Sequence, residues 1–325
     1  MKTILRGMLI TAAISILPGL STAQEWKPTK PVTIVVPVAP GSSNDMIARI
    51  MAERMTSTLG QPVLVENRPG AAGMLGAAQV VRSEPDGHTL LIAPSNIYIV
   101  PHFPAIGTSV KLNPLKDLTP VINAGTSPLL IVAHPSINVK TPRELITYLR
   151  NNAPVSYATS GAGSPMHIAG EMLQRSTGIK MTHIPYKGVM PGVNAVLSAE
   201  VPIGFTALAG AAPFIAAGKL VPIALIEKQR SYLLPMVPTL TESGIAGVEV
   251  STYFQILAPG RTPAPIIQRF NKEMNTVLIT PDVKEKLRNS GVQLMGGSSA
   301  DAAKLARETY AKYGAVVKDL KIVGE

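Results

Sequence analysis

Two short stretches carry the residue types that could hold a small anion. The first is Pro40-Gly41-Ser42-Ser43-Asn44-Asp45. It follows an uncharged, β-branched run over residues 32–38 and precedes Ile47, Ile50, Met51 and Met55 at helical spacing. The second is Ser160-Gly161-Ala162-Gly163-Ser164-Pro165, set between a strand-like run at 155–159 and a helical stretch at 166–177 that stops at Gly178. Each reads as strand, tight loop, helix. Asn44 reads as the N-cap of the first helix and Gly60 as its stop. Such a loop places backbone N–H groups and the positive end of a helix dipole at the carboxyl edge of a sheet. Those donors hold an anion without a buried cationic side chain.

The same residues do not assemble into an enzyme. The first loop lacks the G-K-[ST] of a P-loop, and neither loop spells G-x-G-x-x-G. No G-x-S-x-G elbow surrounds Ser42, Ser43, Ser160 or Ser164. His167 lies three residues past Ser164, but in the first turn of a helix it fits packing, capping or ligand hydrogen bonding better than base catalysis. His88, His102, His134 and His183 show no metal-like clustering with Asp or Glu. No cofactor and no metal is expected. Asp45 reads equally as a first-turn helix charge or as a carboxylate that orients loop amides or a bridging water. Two further segments fall on the same edges: Ser95-Asn96 after a strand at 89–92, and Tyr186-Lys187 after a strand at 181–186. Lys187 is the one cation expected near the site.

The elements that must position these groups form two βαβ series. Residues 32–92 read as βαβαβ, with a glycine-rich turn at Asn67-Arg68-Pro69-Gly70-Ala71-Ala72-Gly73. Residues 101–118 are a proline-punctuated connection. Strands follow at 119–123 and 129–133, and Thr141 caps a helix at 142–151 with Pro at its first position. A second series then runs to a strand at 221–226, and the last third is mostly helical apart from a strand at 248–257. At 325 residues the chain is comfortable for two lobes.

The N-terminus reads as an export signal over residues 1–23. Lys2 and Arg6 precede an apolar stretch broken by Pro18-Gly19, and Ser21-Thr22-Ala23 offers a cut before Gln24. The chain has no cysteine, hence no disulfide frame and no lipidation cysteine. A free periplasmic protein is expected. The net charge of +10 comes from scattered Lys and Arg with aromatics at only 4%, which argues against nucleic acid.

The segments VTIVVPVAPGSSND, QPVLVENRPGAAG, EPDGHTLL, SYATSGAGSPMHIAGEML, HIPYKG and FQILAPGRTPAPI together resemble the tripartite tricarboxylate transporter substrate-receptor family, the Bug proteins, over essentially the whole mature chain. The resemblance implies an α/β, two-lobed periplasmic binding protein of the type II, Venus-flytrap kind, with two crossover strands near 121–124 and 221–226. Lobe 1 would comprise 24–123 plus 227–325, and lobe 2 would comprise 124–226. It implies capture of a di- or tricarboxylate or aromatic acid by a monomer that hands it to membrane transporter subunits, or, alternatively, that presents its closed form to a signalling partner. It places the ligand against Pro40, Gly41, Ser42, Ser43, Asn44 and Asp45, and against Ser160, Gly161, Gly163, Ser164 and His167. Three positions depart from the family pattern. Ser42 stands for its second loop glycine. Val38 replaces its aromatic, which would widen the pocket. Thr206 replaces an acid that often faces the cleft, which favours a plain carboxylate over an α-amino acid.

Overall fold

The computed structural model describes residues 25–103 and 111–320. The expected signal segment and its cut before Gln24 lie outside the described residues.

The first series runs β1 (Val32–Val36), α1 (Ser43–Leu59), β2 (Val63–Asn67), α2 (Met74–Val81) and β3 (Thr89–Pro94). A short helix α3 (Pro114–Asp117) leads into β4 (Leu118–Ser127), a continuous ten-residue strand that begins one residue before and ends four residues after the expected strand at 119–123. Then come β5 (Leu129–Ala133), α4 (Pro142–Asn151), β6 (Val155–Thr159), α5 (Pro165–Thr177), β7 (Met181–Pro185), α6 (Val189–Leu197), β8 (Ile203–Ala207), α7 (Leu208–Ala216) and β9 (Val221–Leu225). The chain closes with β10 (Thr252–Pro259), α8 (Ala264–Ile279), α9 (Pro281–Asn289), β11 (Gln293–Gly296) and α10 (Ser299–Leu320). Local signals set several of these ends. Thr141 accepts the Glu144 amide at the start of α4, and Gly60 and Gly178 take left-handed conformations after α1 and α5. The short strand β11 is absent from the sequence reading. Four residues with polar neighbours carry no period of their own, and pairing with β4 defines them.

The strands form two sheets, in the orders β11-β4-β10-β3-β1-β2 and β7-β6-β8-β5-β9. The two share a plan. Parallel triplets β2-β1-β3 and β7-β6-β8 are each followed by one antiparallel strand, β10 or β5. That antiparallel strand is in each case the first one after the chain has crossed from the other sheet. The outward crossing is at Pro128, between β4 and β5, and not near 121–124, because those residues pair with β10 inside the first sheet. The return crossing also differs from expectation. Residues 221–226 do not run between the sheets, because β9 is the edge strand of the second sheet, paired with β5. The chain re-enters the first sheet through Val250, whose amide reaches the Ile226 carbonyl at 2.9 Å, and then β10.

Helices cover both faces of each sheet, so the strands read as near-continuous apolar runs. Ile34, Ile47, Met51, Phe270 and Met274 pack one face of the first sheet, and Val35, Met74, Leu91, Tyr98 and Ala306 the other. In the second sheet, Ile131, Leu145, Tyr157, Leu173 and Phe205 fill one face, and Val132, Val193, Val196 and Leu208 the other. Helix α10 divides between the two bodies. Ala306 sits in the first core, while Tyr313 and Val317 are buried in the second.

A carboxylate sits at the crossing. Glu227 Oε1 accepts the Leu129 amide at 3.2 Å, directly after Pro128. Lys312 and Tyr313 of α10 face it electrostatically. Burial pushes its pKa up to about 7, against the opposing pull of the Leu129 amide and Lys312. The folded protein therefore keeps this proton between the ordinary glutamate value of 4.5 and about 7, whereas the unfolded chain releases it. The stabilisation is complete below that window and is lost as pH rises through it. Glu227→Gln removes this loss. Chemical denaturation at pH 5 and pH 8 should show the variant gaining on wild type by up to about 3 kcal/mol at the higher pH. Parallel pH profiles for the two proteins would refute the assignment.

Candidate functional site

The first loop is built around Asp45, which is only 4% exposed. Its Oδ2 accepts the Gly41 amide at 3.0 Å and Arg49 Nε at 3.0 Å, and its Oδ1 accepts Asn67 Nδ2 at 3.0 Å. Arg49 also closes an ion pair with Oδ1 at 3.0 Å. Burial works against ionisation, but the bonds from Arg49, Gly41 and Asn67 outweigh it and hold the carboxyl below the usual carboxylate range. Asp45 thus orients the loop from beneath and takes up the Gly41 amide itself. Gly41 reaches φ +82°, which suits a residue without a side chain.

The N-cap differs from expectation. Ser42 caps α1, with Oγ accepting the Asp45 amide at 3.2 Å, because the helix starts at Ser43, two residues earlier than an Asn44 cap implies. Asn44 is instead a buried first-turn residue whose Oδ1 finds no partner among the described residues. The first intrahelical bond runs from the Met46 amide to the Ser42 carbonyl. The amides of Ser43 and Asn44 precede it, so the helix supplies them no acceptor. Pro40 is exposed beside them, and Val38 packs partly into the first core while its carbonyl accepts Asn67 Nδ2.

The second loop repeats the device with different side chains. Ser164 caps α5 through the His167 amide at 3.2 Å, and its own amide reaches the Gly161 carbonyl. His167 Nδ1 accepts the Gly163 amide at 3.2 Å, and Thr159 Oγ1 accepts the Gly161 amide at 3.2 Å. Burial, with His183 alongside, pushes the His167 pKa down to about 3, so the ring is a neutral acceptor at neutral pH. Ala162 lies between the two tethered glycines, and its amide has no partner among the described residues. The Ser160 carbonyl accepts the Gly188 amide at 3.2 Å, which laces the Tyr186-Lys187-Gly188 turn to this loop.

The remaining expected residues divide. Thr206 is buried at the end of β8 and lines a recess with Thr159, Ser160, Met166, Gly192 and Phe205. Lys187 is exposed and makes no ion pair among the described residues. Tyr186 turns its hydroxyl to Glu200 at 2.7 Å, and burial together with that bond pushes its pKa up to about 12. Ser95 is fully buried against Thr252 at 3.3 Å, so its hydroxyl supports the end of β3 and faces no solvent. Asn96 donates to the Ala72 carbonyl at 2.7 Å, bracing the glycine-rich turn, where Ala71 and Ala72 both hold positive φ. Sequence reasoning missed Arg49, Asn67 and Thr159 as loop supports. Asn67 alone carried a signal, its place at the head of the NRPGAAG turn. His167 receives the Gly163 amide at Nδ1, and Glu171 Oε1 lies 3.9 Å from its Nε2.

Residues 47–322 match the model of the tripartite tricarboxylate transporter family receptor. The chain belongs to that family. It is 33% identical to the UPF0065 protein in the TAR-I ttuE-ttuC' intergenic region of Agrobacterium vitis, over 98% of this chain and 91% of the relative. Among solved structures it is similar to Rpa4515 of R. palustris with adipate, at TM-score 0.85 and 30% identity, covering 92% of this chain and 99% of that one. It is also similar to MatC of Rhodopseudomonas palustris with bound malate, at TM-score 0.81 and 29% identity, covering 89% and 99%. The receptor family is therefore one of two-lobed periplasmic solute-binding proteins, and the two sheets described above are its two lobes.

Asp45→Ala should release the Gly41 amide and leave Arg49 and Asn67 without their shared acceptor. Denaturant titration should register a loss of about 1–3 kcal/mol. A stability equal to wild type would mean that the loop does not depend on this carboxylate.

Proposed function

We propose that this protein captures a small organic carboxylate between its lobes and delivers it to a membrane transporter of the tripartite type. One observation carries the reading. Each lobe ends a strand in a capped loop whose inner amides are tied to side chains, while its outer amides, those of Ser43 and Asn44 and that of Ala162, face no acceptor among the described residues. A carboxylate supplies the missing acceptors and is favoured by both helix N-termini. The adipate and malate complexes of similar receptors support the ligand class.

On this reading Gly41, Ser42, Ser43, Asn44, Ser160, Gly161, Gly163 and Thr206 border the ligand. Asp45, Ser164 and His167 shape the loops behind them. The crossings at Pro128 and Val250 move the lobe boundaries from the expected 123/124 and 226/227 to those two points, with the end of α10 strapped onto the second lobe. Closure is a hinge motion about the crossings at Pro128 and Val250, favoured because one ligand bridges both lobes. The precursor is exported by residues 1–23, and the mature protein works as a periplasmic monomer without catalysis. Deleting the gene abolishes uptake of the cognate acid.

Calorimetry with protein refolded free of ligand, against malate, adipate, citrate and benzoate, tests the reading. At least one acid should bind, and no heat with any organic acid counts against it. Ser42→Asp sharpens the test. Aspartate caps a helix as well as serine does, so the fold should keep its stability. Its charge competes for the same amides, and affinity should fall by at least about tenfold. Unchanged affinity would remove the Gly41 loop from the site.

A further inference from the structure

His183 lies on β7, away from both loops in sequence, and none of the roles above uses it. Its ring is stacked on His167 with centroids 4.0 Å apart and planes 8° apart. Its Nε2 lies 2.7 Å from Thr159 Oγ1. That hydroxyl accepts the Gly161 amide, and His167 Nδ1 accepts the Gly163 amide. Two stacked imidazoles thus govern the two glycines on either side of Ala162. The glycines hold φ values of +130° and +73°, which glycine reaches without a side-chain clash, and the two acceptors select them among the conformations open to it. Beneath the pair, Glu171 Oε1 receives the Tyr157 hydroxyl at 2.8 Å and Gln174 Nε2 at 2.7 Å, and the Tyr157 ring lies 5.2 Å from His183. The stack is braced on that side by residues of β6 and α5.

A threonine hydroxyl alone has three staggered positions and two competing partners in its own loop, since Gly161 offers both its amide and, at 3.4 Å, its carbonyl. A second ring nitrogen at 2.7 Å selects one of them. In a water-poor setting such a chain of bonds is stiffer than its separate links. The outward direction of the Ala162 amide follows from the angle at which Gly161 and Gly163 are held.

We propose that His183 is a positioning residue for ligand binding: through Thr159 it fixes Gly161, and with His167 it aims the Ala162 amide at the bound anion. This rests on the carboxylate reading of the site, but its mechanical part does not need a ligand.

Two substitutions separate the bond from the stack. His183→Phe keeps an aromatic ring over His167 and removes the link to Thr159. His183→Gln removes the ring and places an amide near the Nε2 position. Thr159→Val cuts the same link from the other end, should His183→Phe fail to fold. Amide exchange of the ligand-free protein, followed by NMR, should show Gly161 and Gly163 exchanging at least about tenfold faster in His183→Phe and in Thr159→Val, and close to wild type in His183→Gln. Affinity for the tightest acid of the malate, adipate, citrate and benzoate panel should follow the same order, falling about tenfold or more in the first two variants. A merely structural histidine predicts the reverse rescue, with His183→Phe behaving as wild type and His183→Gln impaired. That result, or unchanged glycine exchange in both link-breaking variants, overturns the proposal. Absence of binding by wild type to every acid overturns the carboxylate reading instead, and leaves the exchange measurement to judge the positioning role.

Discussion

A helix that begins at the end of a buried strand leaves backbone N–H groups without acceptors, and the protein must decide which of them to satisfy. Here the inner ones are satisfied from within. Asp45 takes the Gly41 amide, Thr159 takes that of Gly161 and His167 takes that of Gly163. The amides of Ser43, Asn44 and Ala162 have no acceptor among the described residues. On the carboxylate reading, this division explains why a buried carboxylate can sit next to the ligand without repelling it. Asp45 is already neutralised by Arg49 and turned toward the loop from below. It also explains why the two loops use such different residues. A charged acceptor paired to arginine and a neutral imidazole provide the same service to a glycine amide.

The rest of the fold keeps two such loops attached to one machine. Each sheet has a parallel triplet that presents its loops on one edge, followed by a single antiparallel strand delivered by the other half. The crossings come together where Ile226, Leu129 and Val250 exchange backbone bonds and where Glu227 caps the Leu129 amide. Beside them, Ser127 Oγ donates to the Gly291 carbonyl and accepts the Ala209 amide, joining the start of α7 to the turn before β11. Gly291 can be nothing larger there, since a Cβ would come within 2.8 Å of Ala209 Cα. Helix α10 spans the junction, with Ala306 in one core and Tyr313 and Val317 in the other. Helix α10 therefore ties the two bodies together in addition to the two crossings.

Legibility followed the range of the forces involved. Helix α4 could be placed from sequence because Thr141, Pro142 and Glu144 settle its start among neighbours. The end of α5 at Gly178 was equally local. The cap of α1 was misplaced at Asn44 because serine and asparagine are both good caps, and only the path of the chain out of β1 selects Ser42. Ser95 was assigned to the cleft because it follows a strand on the right edge. Its hydroxyl instead meets Thr252, a residue 157 positions away that no local pattern brings near. The family resemblance placed the crossings near 121–124 and 221–226, but residues 121–124 pair within the first sheet and β9 within the second, so the chain crosses at Pro128 and near Val250 instead.

The sequence by itself determined the class of protein, the two strand–loop–helix units and the residue types at their turns, because strand and helix periods, caps and glycine turns are decided by neighbouring residues. Only the tertiary structure decided which donors of those loops are tied to side chains and which are left without an acceptor among the described residues. Asn67 and His183 lie on other strands, and their bonds to Asp45 and Thr159 are set by strand order. Such long-range partners have no spacing to read in the chain, unlike Arg49 and Thr159, which stand four and two residues from the groups they hold.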